Sequence, residues 1–234
     1  MAPPSNADQS DAFAIGQQLP ETLPENPFGL FKEWWDEAHA QRVQPNPHAM
    51  CLATIDQDGT PSARMVLCKG MNLDPAAGYL VFYTNRTSRK GVALEANPKA
   101  ALLFHWDDLD RQVRFEGRIV RSPDSESDAY FASRPLESRI GAWCSDQSKP
   151  IESRDALLGK VAMTIMQLGV QIDDDKAVVP RPKHWGGYRV WISAAELWVG
   201  GPGRVHDRAR WERTLTPNGD GFIPAPFSAT RLQP

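Results

Sequence analysis

Four stretches of this chain combine basic residues with hydroxyl, aromatic or imidazole groups at spacings that suit anion binding. In "YTNRTSRKG", residues 83–91, Tyr83 and Thr84 close an expected strand, and Arg89 and Lys90 stand where a helix should begin. Free backbone N–H groups and the helix dipole favour an anion there, and phosphate is the natural occupant. In "SARMVLCKG", residues 62–70, period-two alternation sends Arg64, Val66 and Cys68 to one face and Met65, Leu67 and Lys69 to the other. In "YFASRPLES", residues 130–138, Tyr130, Arg134 and Ser138 fall at i, i+4 and i+8. They share a face if the helix continues, or converge through a turn if Pro135 ends it. In "RVHDRAR", residues 204–210, a strand would project Arg204, His206, Arg208 and Arg210 the same way. Such a row repels itself unless an anion or an acidic neighbour lies opposite. Each stretch also has a plain reading, as a capped helix, polar strand ends or a solvated cationic edge.

Other chemistries lack their residues. The chain has no G-x-S-x-G, no acid pair in helical register and no Cys and His at a recognised catalytic spacing, so no nucleophilic machinery is visible. Histidines 39, 48, 105, 184 and 206 show neither H-x-x-x-H nor H-E-x-x-H spacing, which gives a protein-ligated metal little support. Strong anion sites without a protein nucleophile point to a cofactor that brings its own reactivity. The anion clusters exceed the needs of one phosphate, and two phosphorylated ligands, a cofactor and a substrate, account for the surplus.

The elements that must position these groups follow from periodicity. The stretch "NPFGLFKEWWDEAHAQR" predicts an amphipathic helix, with Asn26 able to cap, Pro27 in the first turn, and Phe28, Phe31, Trp35 and Ala38 at helical spacing. Strands are expected at residues 49–55, 62–70, 79–84, 100–106 and 112–121, the first two joined by a D-G turn. Helices are expected after Thr87 or Ser88, after Ser122 and Pro123, and over "SRDALLGKVAMTIMQLG"; "GGYRVWI" and "AAELWV" return to strand. Many strands with a few short helices argue for a mainly β fold with flanking helices, a β-barrel or an α+β sheet rather than an alternating βαβ fold.

Charge narrows the partners. Against 29 Asp plus Glu stand 26 Lys plus Arg, so no global basic field attracts nucleic acid or an anionic membrane, and anion binding must be local. No apolar run approaches the roughly 18–20 residues of a membrane span. Cys51, Cys68 and Cys144 are sparse and odd in number, which suits a reducing compartment and a cytoplasmic location. Residues 1–25 are Pro-rich and acidic and are expected to form a flexible arm, with 26–234 a single domain.

Several segments, in order, resemble one family: "RMVLCKG", "VFYTNRTSRKG", "ALLFHW", "RQVRFEGR", "SDAYFASRP", "IGAWCSDQS", "VPRPKHWGGYRV", "ELWVGGPGRVHDR" and the terminal "TRLQP". The resemblance is to the pyridoxine (pyridoxamine) 5'-phosphate oxidases and runs collinearly from about Asn26 to Pro234. It implies an FMN-binding split β-barrel that forms a homodimer with FMN at the subunit interface. It also implies oxidation of pyridoxamine or pyridoxine 5'-phosphate to pyridoxal 5'-phosphate, with O2 as acceptor and H2O2 as product.

Residue by residue, the resemblance implies FMN contacts from Arg64, Met65, Val66, Leu67, Cys68 and Lys69, from Tyr83, Thr84, Arg89 and Lys90, and from Gln112, Gln147, Ser148, Trp198 and Arg208. It assigns the substrate phosphate to Lys69, Tyr130, Arg134 and Ser138, and places Arg204 and His206 over the substrate ring as the catalytic pair. Three positions depart from the family pattern. The arm lacks an Arg-x-x-Tyr segment, Asn46 stands where an acid is usual, and Val199 where a Gln is usual. A related flavin oxidase acting on another aromatic, as in phenazine biosynthesis, and a flavin or pyridoxal-phosphate binding protein without turnover are the alternative readings.

Overall fold

The computed structural model describes residues 16–174 and 177–234. Helix α1 (Phe28–Ala40) starts behind Pro27, where Asn26 Oδ1 accepts the Phe28 N–H at 3.1 Å. Its buried stripe is Phe28, Phe31, Trp34 and Ala38. Trp35, expected on that stripe, lies beside it and packs against Phe31 and Phe104.

Strands β1 (Ala49–Ile55) and β2 (Pro61–Leu67) form the expected hairpin. Next come β3 (Gly70–Asn72), β4 (Tyr79–Asn85), β5 (Lys99–Trp106), β6 (Arg111–Arg121), β7 (Trp185–Val199), β8 (Asp207–Glu212), β9 (Leu215–Asn218), β10 (Gly221–Pro224) and β11 (Ser228–Leu232). One antiparallel sheet runs β11-β8-β7-β6-β5-β1-β2, while β4 pairs with β7 and carries β3. The two stretches "GGYRVWI" and "AAELWV" are one strand, β7, paired with β6 along one side. Its other side meets β4 over its first half and β8 over its second.

That division curls the sheet. The β6–β7 register shifts between Glu116 and Gly117, and a Cβ on Gly117 would lie 2.1 Å from the Trp191 carbonyl oxygen, so only glycine allows the strands to close there. The concave face buries Met50, Leu52, Leu102, Phe104, Val113, Phe115, Leu197 and Trp211, closed by Phe31 of α1. Each fully buried ring or aliphatic chain contributes roughly 1.5–3 kcal/mol of transfer free energy. The convex face carries a row of directly paired residues, Met65, Cys51, Leu103, Arg114, Glu196 and Arg210, across six strands.

Helix α2 (Arg89–Ala96) is capped by Ser88, whose Oγ accepts the Gly91 N–H. Helix α3 (Asp124–Ala132) begins at Pro123, and the expected cap Ser122 makes no such bond; its hydroxyl is buried without a partner. Pro135 does end α3, and α4 (Leu136–Cys144), which periodicity did not predict, follows it. Helix α5 (Arg154–Leu168) is capped by Ser153 and stopped by Gly169 at φ 63°. These helices enclose a second core of Phe131, Leu136, Ile140, Val179 and Trp185.

Two further expectations change. Residues 204–206 are not strand: β8 begins at Asp207, and Arg204 sits in a tight turn at φ 65° after Gly203. The flexible arm was expected over residues 1–25, of which 1–15 lie outside the described residues. The remainder is docked: Leu19 is buried, its N–H donates to Asp207, and the Pro24 carbonyl accepts the Trp211 indole N–H. An apolar anchor and satisfied backbone groups hold this segment to the sheet.

Candidate functional site

The split in the sheet lies between the free edge of β2 and strand β4, and an open cleft of about 300 Å³ occupies it. Met65, Val66, Leu67 and Lys69 form one wall, Tyr83, Thr84 and Asn85 the other, with Lys90, Gln147, Tyr130, Arg134 and Trp185 closing the ends. Alternation along β2 is as expected, with Met65 and Leu67 exposed and Arg64 and Val66 turned inward.

Gln147 organises one end of the cleft. Its Oε1 accepts from Lys90 Nζ at 2.7 Å and from Thr84 Oγ1 at 3.1 Å. Nearby, Arg64 donates to Leu52 O, Thr54 Oγ1 and both oxygens of Ser62. Burial lowers the proton affinity of Lys90, with Arg64 adding repulsion, and burial also lowers that of Arg64.

At the other end Arg134 lies 4.9 Å above the Trp185 ring, and its Nη1 is buried with no partner. Burial lowers its proton affinity too. Tyr130 stacks on Tyr83 at 4.1 Å, and Tyr83 on Trp185 at 5.3 Å and 9°. Burial, with Glu126 and Tyr130 nearby, pushes the Tyr83 phenol up to about 12, so it remains a donor. The hydrogen bonds that Lys69, Lys90 and Arg64 make go to neutral oxygens and one imidazole, and Arg134 rests on a ring. Three cations lining one cleft, with Arg64 near Lys90 and none of the four bonded to a carboxylate among the described residues, suit an anion.

Other expected residues fall elsewhere. Arg89 is held by Asp56, Nε to Oδ2 at 2.7 Å, and with Ser148 lines an adjoining hollow. Ser138 lies in the first turn of α4, and Cys68 is a core residue whose thiol faces Gly70 O. Gln112, Trp198 and Arg208 are directly paired across β6, β7 and β8 and line a separate hollow of about 280 Å³ with Glu196 and Arg114. On β7 the cleft's Tyr83 pairs with Gly187, and Trp198 lies eleven residues, about 36 Å of strand, farther on, so one protomer keeps the two groups apart.

The loop before β8 brings His206 to this second group, 4.6 Å from the Trp198 ring. Its Nδ1 accepts the Gly201 N–H at 3.1 Å, which leaves a proton for Nε2 in the neutral ring. Arg204 is exposed on the same turn. The basic row of residues 204–210 therefore divides. Arg208 binds Glu196, and Arg210 binds Glu116 and Glu212 rather than water alone. Glu116 and Glu196 lie on β6 and β7, too far in sequence for local reading to pair them, whereas Glu212 stands two residues on within β8. Sequence reasoning also missed Asn85 and Trp185, which line the cleft, and Glu196, which lines the second hollow; Trp185 and Glu196 stand inside recognised segments, where an aromatic and an acid near glycines were the available signal.

Residues 36–167 match the family described as pyridoxamine 5'-phosphate oxidase, and residues 185–234 match the pyridoxine 5'-phosphate oxidase C-terminal dimerisation region. The chain is 47% identical over 217 residues to a pyridoxine/pyridoxamine 5'-phosphate oxidase of Cupriavidus necator, covering 93% of this chain and 96% of that protein. It is 46% identical over 228 residues to the protein of that name from Paraburkholderia phymatum, covering 97% and 98%. Among solved structures, PhzG from Burkholderia lata in complex with tetrahydrophenazine-1-carboxylic acid matches with a TM-score of 0.74 and 30% identity, over 90% of this chain and 94% of that one. A pyridoxamine 5'-phosphate oxidase-related, FMN binding protein from Nostoc punctiforme matches at a TM-score of 0.64 and 15% identity, over 89% and 98%, and shows the shared fold.

Proposed function

We propose, from the premise that this chain belongs to the pyridoxine/pyridoxamine 5'-phosphate oxidase family and is an oxidase of that kind, that it converts pyridoxamine or pyridoxine 5'-phosphate to pyridoxal 5'-phosphate using FMN. The observation that carries this reading is the cleft's set of cations bonded to no carboxylate among the described residues, Lys69, Lys90 and Arg134, with Arg64 near Lys90, beside a stacked Tyr130–Tyr83–Trp185 wall. Two phosphorylated aromatic ligands need those two features together.

The cleft's donors fit the cofactor's phosphate. Lys90, Thr84, Gln147 and Arg64 would hold it, and the unpartnered Arg134 Nη1 with Tyr130 and Lys69 would take the substrate phosphate. When bound, FMN supplies the two-electron acceptor, and O2 receives those electrons to give H2O2. The protein's own contribution is positioning: phosphate grips at both ends of the cleft hold two rings face to face. His206 would donate from Nε2–H to the substrate, since Gly201 occupies its Nδ1. Arg204 would close over the ring from its turn.

Gln112, Trp198 and Arg208 fit the same cofactor only across an interface. The convex face between the two groups is apolar at Met65, Leu67 and Leu103 and charged toward Arg114 and Arg210, the composition of a dimer surface. A second copy would bring its β6–β8 row to this protomer's cleft, and the dimerisation region over residues 185–234 supports that arrangement. A cytoplasmic site of action belongs to the same proposal; no helix among the described residues is long and apolar enough to cross a membrane.

A second reading, oxidation of a carboxylated aromatic, draws on the likeness to PhzG. Mixing the yellow protein anaerobically with pyridoxamine or pyridoxine 5'-phosphate separates the two. Bleaching of the flavin, and pyridoxal phosphate with peroxide in air, support the first reading; a flavin that stays oxidised with both substrates overturns it.

A further inference from the structure

We propose that His48 is a positioning residue that aims the Lys69 ammonium into the cleft and so tunes affinity for a phosphorylated ligand. The inference rests on the reading of Lys69 as a ligand-binding group. Lys69 Nζ lies 3.2 Å from His48 Nε2. An ammonium has only protons to give, so His48 Nε2 is the acceptor and the imidazole carries its proton on Nδ1.

The fold places the pair. Cys68 N–H donates to His48 O at 2.9 Å, extending the β1–β2 ladder one step beyond its last pair, and Lys69 N–H donates to Val81 O at 2.8 Å on β4. The lysine backbone is therefore fixed at the split, with its side chain reaching back to a residue that enters β1. Behind His48 stands His39, with ring centroids 6.1 Å apart. His39 in turn packs against Trp35, ring centroids 4.4 Å apart and tilted, and donates from Nδ1 to the Trp35 carbonyl. Helix α1 thus sets a second imidazole, His39, against the ring that Lys69 engages.

A second proton on His48 would set two positive charges 3.2 Å apart, with no carboxylate bonded to either among the described residues. Burial, Lys69 and His39 all lower its proton affinity, so the acceptor persists at neutral pH. A long lysine loses much rotamer freedom when fixed, and His48 makes part of that ordering before any ligand arrives. The preordered ammonium then binds a phosphate with less loss.

Two measurements test this. In the flavin-loaded protein without substrate, nitrogen NMR should show His48 protonated on Nδ1, titrating below 6.5, with the midpoint rising in Lys69→Met. An Nε2–H tautomer, or a midpoint unmoved by Lys69→Met, overturns the proposal. In turnover, His48→Leu should raise KM for the phosphorylated substrate about fivefold to tenfold with kcat within twofold, and His48→Gln, a neutral acceptor, should restore KM. A Leu variant with wild-type KM, or a Gln variant as poor as Leu, also overturns it. The NMR result needs no turnover, so a chain that binds FMN but fails to oxidise either substrate would sink the proposed function without touching the His48–Lys69 coupling.

Discussion

Glu196 holds Arg208 through a single carboxylate oxygen, Oε1, which accepts from Nε at 3.1 Å and Nη2 at 2.6 Å, while its other oxygen takes Arg114 Nη2 at 2.6 Å. The carboxylate is buried and both guanidinium groups are partly exposed, so Glu196 sets where Arg208 points. Glu196→Gln keeps the shape and removes the charge. We expect about tenfold weaker FMN binding, the loss of roughly one charge-assisted hydrogen bond. Reconstitution of the flavin-free protein, followed by quenching of FMN fluorescence, measures it.

At the phosphate end, Arg134 combines a ring contact with an unpartnered buried N–H, and a lysine cannot reproduce both. Arg134→Lys should raise KM for pyridoxamine 5'-phosphate by on the order of tenfold, and Arg134→Ala by about a hundredfold, with FMN still bound. Steady-state kinetics alongside the flavin absorbance of the purified variants would expose any other pattern.

Lys90 and Arg89 are adjacent in sequence and differently committed. Lys90 shares Gln147 with Thr84 inside the cleft, whereas Arg89 is engaged by Asp56 outside it. Lys90→Met should therefore be purified largely colourless, while Arg89→Ala should retain more flavin. Arg204→Ala should keep its flavin and lose turnover. Comparable flavin loss in all three variants would argue against this division.

Ala101 lies on the convex face, paired with Ala53 on β1 and Glu116 on β6. Ala101→Arg places a charge on the proposed dimer surface without entering the core. Light scattering should then report a monomer that has also lost FMN; a monomer that stays yellow would show that one chain completes the site.

The alkaline limb of stability has a stated sign. Burial pushes the Cys68 thiol up to about 11, and burial with Glu126 and Tyr130 pushes Tyr83 up to about 12. Each folded value lies above the unfolded one, so the protonated forms stabilise the fold fully below the unfolded values. That contribution is lost as pH rises through the folded ones. The melting temperature should fall between about pH 9 and 12, and Cys68→Ala should flatten the part of the fall that begins near pH 9. Thermal unfolding followed by circular dichroism across that range checks both.

The arrangement of elements was legible where periodicity and caps agree. The α1 stripe apart from Trp35, the D-G hairpin of β1 and β2, the Ser88 cap and the span of α5 between Ser153 and Gly169 follow from local spacing. Local spacing failed where tertiary contacts outweighed it. Helix α4 depends on Leu136 and Ile140 finding a second core contributed by Trp185 and Val179. Strand β8 starts only at Asp207 because the preceding turn pins Arg204 and His206 outside the sheet.

The site divides the same way. Residue types and their order along the chain determined that several cationic clusters exist, that no nucleophile accompanies them, and which family's pattern they follow. Only the tertiary structure decided which cations share a cleft. Lys69, Lys90 and Arg134 meet at the sheet's split, Arg89 turns away to Asp56, and Gln112, Trp198 and Arg208 stand on a separate row. The reason is that register and acid partners are long-range properties. Glu116, Glu196 and His48 claim Arg210, Arg208 and Lys69 from strands and segments 12 to 94 residues away, distances over which sequence spacing carries no signal.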